Sequence, residues 1–254
     1  EDRNSLHVKK ATESYHIGEA APAKSYLNQE KILDVILSSG ADAVHPGYGF
    51  LSENPDFAGL CEKNKVTFIG PSAASMDLCG DKQQCKAAMI KAKVPTVPGS
   101  PDVVKDADEA EKIANEIGYP VMLKSVYGGG GRGIRIVNTD QELQDGYETV
   151  TAESIAAVGK SAILVEKFLA QTRHIEYQLA RDKHGNTVHI FERECSIQRR
   201  NQKLIEQTPS PIVDQETRDR IGKLVVNAAE AVDYTNLGTV EFLRADNGES
   251  YFLE

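Results

Sequence analysis

Lys124 and Arg132 flank four consecutive glycines, Gly128 to Gly131, in the stretch YPVMLKSVYGGGGRGIRIV at 119–137. Four glycines lose much backbone entropy on ordering. The return is a loop whose bare N–H groups can approach a ligand closely. With a lysine at its base and an arginine at its tip, that ligand is a polyphosphate. A surface hairpin without a ligand is the other reading of the same residues. Gly128, Gly130 and Gly133 also match G-x-G-x-x-G, with Glu153 about twenty residues further on. A dinucleotide fingerprint, however, needs strand, turn and then helix. Here residues 120–124 and 133–137 both read as strand. The helix begins later, where Thr139 and Glu142 have capping-box spacing. No Gly-Lys-Ser/Thr follows, so the Walker pattern is absent. The glycines belong to a loop between strands that covers phosphates from one side.

A second candidate is a pair of carboxylates. Asn247-Gly248 is a preferred pair for a two-residue type I′ turn. With that turn as centre, Leu243 opposes Phe252, Phe242 opposes Leu253 and Glu241 opposes Glu254. Like charges placed directly opposite are destabilising, and a divalent cation between them reverses the sign. Mg²⁺ held by one or two carboxylates and by phosphates is the usual nucleotide-site arrangement. A frayed Glu254, a solvated Glu241 or a one-residue register slip is the alternative.

Cations crowd into FERECSIQRRNQKLIE at 191–206, where Arg193, Arg199, Arg200 and Lys203 lie between a strand and a loop. In a chain of net charge -9 they need acidic partners. A phosphate, a small anion such as bicarbonate, or Glu192, Glu194 and Glu206 would serve. The segment HPGYGFLSEN at 45–54 follows the C-terminal end of an expected parallel strand, where α/β sheets bind ligands. A plain turn fits it equally well. His7, His16, His184 and His189 show no metal spacing.

The elements that must position these groups form an α/β chain. Over 1–70, a helix at 28–39 is capped by Asn28 and stopped by Gly40. A strand at 41–45, a helix at 55–64 and a strand at 66–69 follow. This alternation means a parallel sheet. Residues 71–118 read as helical apart from a bend at 95–101. After the glycine hairpin come a helix over 140–159, a charged strand at 163–169 and an alternating strand at 174–179. The latter puts His174, Glu176 and Gln178 on one face and Ile175, Tyr177 and Leu179 on the other. A turn at 182–186, a strand at 188–192, a helix at 214–233 and the terminal hairpin complete the chain.

The acidic balance excludes a broad nucleic-acid surface. No apolar run nears the roughly 18 residues of a membrane span. The start has no signal-peptide pattern, which points to a cytoplasmic protein, or one of the mitochondrial matrix in a eukaryote. Cys61, Cys79, Cys85 and Cys195 form no C-x-x-C pair and read as reduced structural thiols.

HPGYGFLSEN at 45–54, FIGPS at 68–72, GDK at 80–82, GGGGRG at 128–133, RHIE at 173–176, ERECSIQRRNQK at 192–203 and GTVEFL at 238–243 together resemble biotin carboxylase. This is the ATP-grasp component of acyl-CoA and pyruvate carboxylases, and the match runs from about Leu6 to Glu254. The resemblance implies a partial N-terminal parallel α/β, Rossmann-like domain over 1–80. An ATP-grasp domain over 81–254 follows, α+β in character, with a lid at about 96–168. It implies ATP- and Mg²⁺-dependent (or Mn²⁺-dependent) carboxylation of carrier-bound biotin by bicarbonate, through carboxyphosphate.

By the same resemblance Lys82 and Lys124 contact ATP phosphates, and Gly130 and Gly131 belong to the lid. Glu166, Lys167 and Leu169 hold the adenine end, with Leu243 also nucleotide-binding. His174, Gln198 and Asn201 lie near the nucleotide. Glu241 and Glu254 are the metal ligands, and Lys203 helps hold bicarbonate. The implied partners are a biotin carboxyl carrier, a carboxyltransferase and a second copy in a homodimer. Asn201 stands where many members have His, which puts a catalytic role there in doubt. The segment also lacks the matches expected before Leu6 and after Glu254, among them the main catalytic arginine and glutamate. It is therefore expected to bind nucleotide without turning over. Another ATP-grasp ligase, a carbamoyl-phosphate synthetase half or a non-catalytic ATP-binding module are the competing assignments.

Overall fold

In this computed structural model residues 2–127, 133–199 and 202–254 are described. The chain divides into two compact units. One comprises Glu1–Cys85, Leu179–Ile190 and Ala229–Gly238; the other comprises Lys86–Gln178, Phe191–Ala228 and Thr239–Glu254.

The first unit opens with a short helix α1 (Leu6–Lys10) and continues as α2 (Gln29–Ser39), β1 (Ala43–Val44), α3 (Pro55–Lys63), β2 (Thr67–Phe68) and α4 (Ala73–Gly80). The Asn28 side chain accepts from Lys31 N–H and starts α2, and Gly40 ends it in the left-handed region at φ 71°. Asn54 and Ser72 cap α3 and α4 in the same way. β1 and β2 pair in parallel, Ala43 against Thr67 and Val44 against Phe68. Ile36, Leu51, Phe57, Cys61 and Val66 make the core between them. Asp81 then caps α5 (Lys82–Lys91), its carboxylate accepting from Gln83 N–H and Gln84 N–H.

In the second unit α6 (Ala107–Ile117) is capped by Asp106. The antiparallel strands β3 (Val121–Ser125) and β4 (Ile134–Val137) follow, then α7 (Asp140–Val158) and β5 (Ile163–Lys167). These strands form a three-stranded sheet in the order β4-β3-β5. Val121, Leu123, Ile163 and Val165 point into a core with Ala110 and Ala114 of α6 and Leu143 and Val150 of α7. Alternation along the strands therefore sends Lys124 and Glu166 to the opposite, half-buried face. The 139–142 capping box does not form. Thr139 makes no side-chain cap, and Glu142 accepts from Asn138 N–H, one residue earlier than expected.

β6 (Thr172–Arg181), β7 (Thr187–Arg199), β8 (Gln202–Gln207), helix α8 (Gln215–Ala231), β9 (Asn236–Ala245) and β10 (Ser250–Phe252) follow. The five strands lie in the order β10-β9-β6-β7-β8. The cationic stretch expected to leave a strand for a loop is instead the hairpin β7–β8, with Gln198 opposite Lys203 and Arg199 opposite Gln202.

The terminal hairpin differs from its expected register by one residue. Tyr251, not Phe252, opposes Leu243, and Phe252 opposes Phe242. Asp246, Asn247 and Gly248 form a three-residue loop closed by Ala245 N–H donating to Glu249 C=O, with Gly248 at φ 85°. The same Asn-Gly pair suits this loop, because its last residue needs the left-handed conformation. Glu241 nevertheless meets Glu254. Its N–H donates to Glu254 C=O at 2.7 Å while its C=O accepts from Leu253 N–H at 2.8 Å. One residue faces two, as at a β-bulge, and the slip is absorbed there.

A strap before α6 ties β10 to β5. Phe252 N–H donates to Pro95 C=O, Lys167 N–H to Pro98 C=O, Ser100 N–H to Val165 C=O and Val104 N–H to Ile163 C=O. The close approach depends on Gly99, where a Cβ would lie 2.4 Å from Val165 O.

Candidate functional site

Two charge clusters in the second unit gather most of the side chains singled out above. On the open face of the three-stranded sheet, Met122 opposes Glu166 and Lys124 opposes Leu164, so Lys124 and Glu166 are diagonal neighbours. Lys124 Nζ donates to Glu166 Oε2 at 2.7 Å, and Lys86 Nζ approaches Oε1 at 3.4 Å. Burial pushes the Glu166 carboxyl up, but the two ammonium groups outweigh it and leave it below the usual range. The carboxylate thus holds Lys124 in place on the sheet face opposite the core shared with α6 and α7.

The second cluster lies across β9, β6, β7 and β8. Lys203 on β8 donates to Glu241 Oε1 on β9 at 2.7 Å and to Glu176 Oε2 on β6. Glu176 is buried and also receives Arg193 of β7, whose Nε and Nη2 lie 2.5 Å from Oε1. Register shifts in the β7–β8 pairing between Glu194, Ile197 and Gln198 re-aim the strand at this point. Burial lowers the Lys203 ammonium's pKa, yet the two carboxylates win and raise it. It stays a cation across the physiological range.

His174 Nε2 lies 3.0 Å from Glu241 Oε2. Its Nδ1 meets Gln198 Nε2 at 2.8 Å, and Gln198 also donates to Cys195 C=O. His174 most, and then Lys203 against the opposing effect of burial, holds the Glu241 carboxyl at about 2. One donor atom from each of His174, Glu176 and Glu241 lies within 4.8 Å of the others. The arrangement can bind an anion at Lys203 and offers ionised oxygens to a cation.

Residues 81–254 match the family model described as carbamoyl-phosphate synthase L chain, ATP binding domain. Residues 1–76 match that of the biotin carboxylase N-terminal domain. The chain belongs to the biotin carboxylase family. It is 51% identical over 248 residues to the 2-oxoglutarate carboxylase small subunit of Hydrogenobacter thermophilus, covering 98% of this chain and 52% of that one. A solved biotin carboxylase domain of a thermophilic 2-oxoglutarate carboxylase, bound to bicarbonate, superposes with a TM-score of 0.93 at 47% identity. The superposition covers 100% of this chain and 55% of that one. The biotin carboxylase–β-γ-ATP complex from Campylobacter jejuni superposes with a TM-score of 0.84 at 44% identity, covering 100% and 57%. The chain spans about half the length of the relatives it matches. The fold is thus the α/β fold with an ATP-grasp part that the motifs implied.

Within this biotin carboxylase fold, the structure brings together Lys124 with Glu166, and His174, Gln198, Lys203 and Glu241 with one another. It does not join the side chains of Lys167 and Glu166. Lys167 Nζ turns away to donate to Gly118 C=O and Tyr119 C=O, at 2.9 Å each. Leu169 lines a cavity of about 350 Å³ with Phe168, Gln171, Asp246 and Asn247, and Leu243 is not part of that lining. Glu254 adjoins Glu241 through the backbone and is itself exposed. Lys82 is exposed at the start of α5 in the first unit. Gly130, Gly131 and Asn201 lie outside the described residues, as do Arg132 and Arg200.

Sequence reasoning gave no role to Glu176, Arg193 or Lys86 as partners of these groups. Glu176 had a signal, since it shares a face with His174. Lys86 had none, because its contact with Glu166 spans 80 residues.

Proposed function

We propose that this chain supplies the ATP- and bicarbonate-handling part of a biotin carboxylase. It would contribute to the carboxylation of carrier-bound biotin by bicarbonate and ATP. The observation that carries this reading is the Lys203 ammonium, kept charged while bridging Glu176 and Glu241 beside His174. A fixed cation of this kind binds bicarbonate and stabilises charge developing on a transferring phosphoryl group. Lys124, aimed by Glu166, takes ATP phosphates, together with Lys82 and the lid glycines Gly130 and Gly131. Glu166, Lys167 and Leu169 form the adenine end, and His174, Gln198, Asn201 and Leu243 bind the nucleotide. The domains are 1–80 and 81–254, with the lid at about 96–168. The family models matched at 1–76 and 81–254 support this division.

The ionised Glu241 carboxylate, with Glu254 next to it across the backbone, fits a hard divalent cation that takes its remaining oxygens from phosphates. When bound, Mg²⁺ or Mn²⁺ neutralises phosphate charge. Glu241 supplies its anionic ligand because its partners keep it ionised. Carrier protein, carboxyltransferase and a second copy of the domain are the partners this function requires.

Calorimetric titration of the chain with Mg·ATP tests the proposal. Binding that Lys124→Ala weakens about tenfold or more supports it. Absence of binding, or binding indifferent to that substitution, sinks it.

A further inference from the structure

Two glutamates on β7 are buried where no substrate group is assigned: Glu192 at 1% exposure and Glu194 at 6%. Burying carboxylates is costly unless they are paired and hydrogen-bonded. Glu192 is answered by Arg218 of α8, whose Nη2 and Nε lie 2.6 and 2.7 Å from its two oxygens. Glu194 lacks such a fork. Among the described residues its ion-pair partner is Arg173, which lies 3.7 Å away and is half exposed. Its close partners are two serine hydroxyls, Ser196 Oγ donating to Oε1 at 2.5 Å and Ser210 Oγ to Oε2 at 2.8 Å.

This makes Glu194 directional. An ionised carboxylate only accepts, and a serine hydroxyl has one proton to give. Ser196 spends its proton on Glu194, so its oxygen is free to accept, and it accepts His174 N–H at 2.9 Å. Ser210 likewise gives to Glu194 and faces Ile212 N–H at 3.4 Å. His174, anchored at its backbone, places its ring between Gln198 and Glu241. Apolar residues would pack this interior at least as stably, so stability alone does not account for the carboxylate.

We propose that Glu194 is a positioning residue that acts through Ser196 to fix the His174 backbone, and with it the imidazole, against Glu241. For its effect on ligand binding this rests on the nucleotide reading above; for its effect on His174 it does not. Methionine in place of Glu194 offers neither acceptor oxygen, so the Ser196 hydroxyl loses the group that fixes it beneath His174 N–H.

The test uses Glu194→Met, Ser196→Ala and Ser196→Thr. It reads the hydrogen-exchange rate of the His174 amide by NMR, the imidazole correlation of His174, and Mg·ATP affinity by calorimetry. Glu194→Met and Ser196→Ala are expected to speed exchange of that amide about tenfold, shift the imidazole signal and weaken Mg·ATP about tenfold. Ser196→Thr, which keeps the hydroxyl, restores all three. Thr208→Val removes a neighbouring hydroxyl bond to Glu192 C=O and touches neither Glu194 nor His174. It lowers stability while leaving the three readouts within twofold.

Unchanged His174 exchange in folded Glu194→Met overturns the proposal, as does failure of Ser196→Thr to restore it. Altered exchange with unaltered Mg·ATP affinity overturns its link to ligand binding. Should Glu194→Met not fold, the two Ser196 variants decide. Should the unmodified chain bind no Mg·ATP, the functional reading falls while the exchange rates still decide the positioning role.

Discussion

Lys203 Nζ donates to Glu241 Oε1 across 2.7 Å, although the two residues are 38 positions apart and lie on strands separated by two others. The same ammonium holds Glu176, so one cation compensates two carboxylates. Replacing it leaves Glu176 with Arg193 and Glu241 with His174. Lys203→Met is expected to cost about 1–3 kcal/mol, between the values for exposed and buried pairs because the lysine is 28% exposed. Urea denaturation measures the loss. Bicarbonate-stimulated ATP cleavage, assayed in the full-length enzyme, should fall at least about a hundredfold.

Glu241 also sets a pH dependence. Its carboxyl lies at about 2 in the folded chain, against an ordinary value of 4.5. Because the folded value is the lower one, the stabilisation is fully present above 4.5 and is lost as the pH falls towards about 2. Glu166 and Glu192, also lowered, act in the same direction. The raised Lys203 works the other way, its contribution being present below 10.5 and lost as the pH rises beyond it. Thermal melts from pH 2 to 6 should show a steep acid limb that Glu241→Gln flattens. An unaltered limb contradicts the assignment.

Gly99 offers a packing test. A Cβ there would meet Val165 O at 2.4 Å and Glu166 Cα at 3.0 Å, and backbone atoms cannot swing aside as a side chain can. Gly99→Ala is expected to destabilise by about 2 kcal/mol. It should also weaken Mg·ATP binding, since it displaces the strand that carries Glu166. Ser154→Ala serves as comparison. It removes a buried hydroxyl contact with Ser125 and should lower stability without a matching loss of affinity.

Arg218→Met strands Glu192, whose side chain has no exposed surface. An unpaired buried carboxylate is worth about 3–5 kcal/mol of lost stability. Changing Glu192 to Leu at the same time should return part of that loss, though Ser210 N–H then loses its acceptor. A double substitution no more stable than Arg218→Met would contradict the ion-pair account.

Several features follow from local rules and were legible without coordinates. The helix beginning after Asn28 and ending at Gly40 depends on a side-chain acceptor and a left-handed glycine twelve positions apart on one segment. Strand β6 sorts His174 and Glu176 from Ile175 and Tyr177 by alternation alone. The position of Lys124 at the end of a buried strand likewise needs only the pattern of its neighbours. The long motifs carried the family.

Other features depend on what folding brings close. Asn247-Gly248 suits both a two-residue turn and the end of a three-residue loop, and these differ by one residue of register. Packing of Phe242 and Ser250 inside the sheet selects the latter, and the bulge at Glu241 returns Glu254 to its side. The partners of each charge were decided in the same way. Composition shows that cations at 193–203 need acids, but Glu176, Glu241 and Glu166 receive theirs from strands and helices up to 80 residues away. Sequence alone determined which groups must be paired, since charge and alternation are local properties. Tertiary structure decided which group pairs with which, because Coulomb and hydrogen-bond energies fall with distance in space and not along the chain.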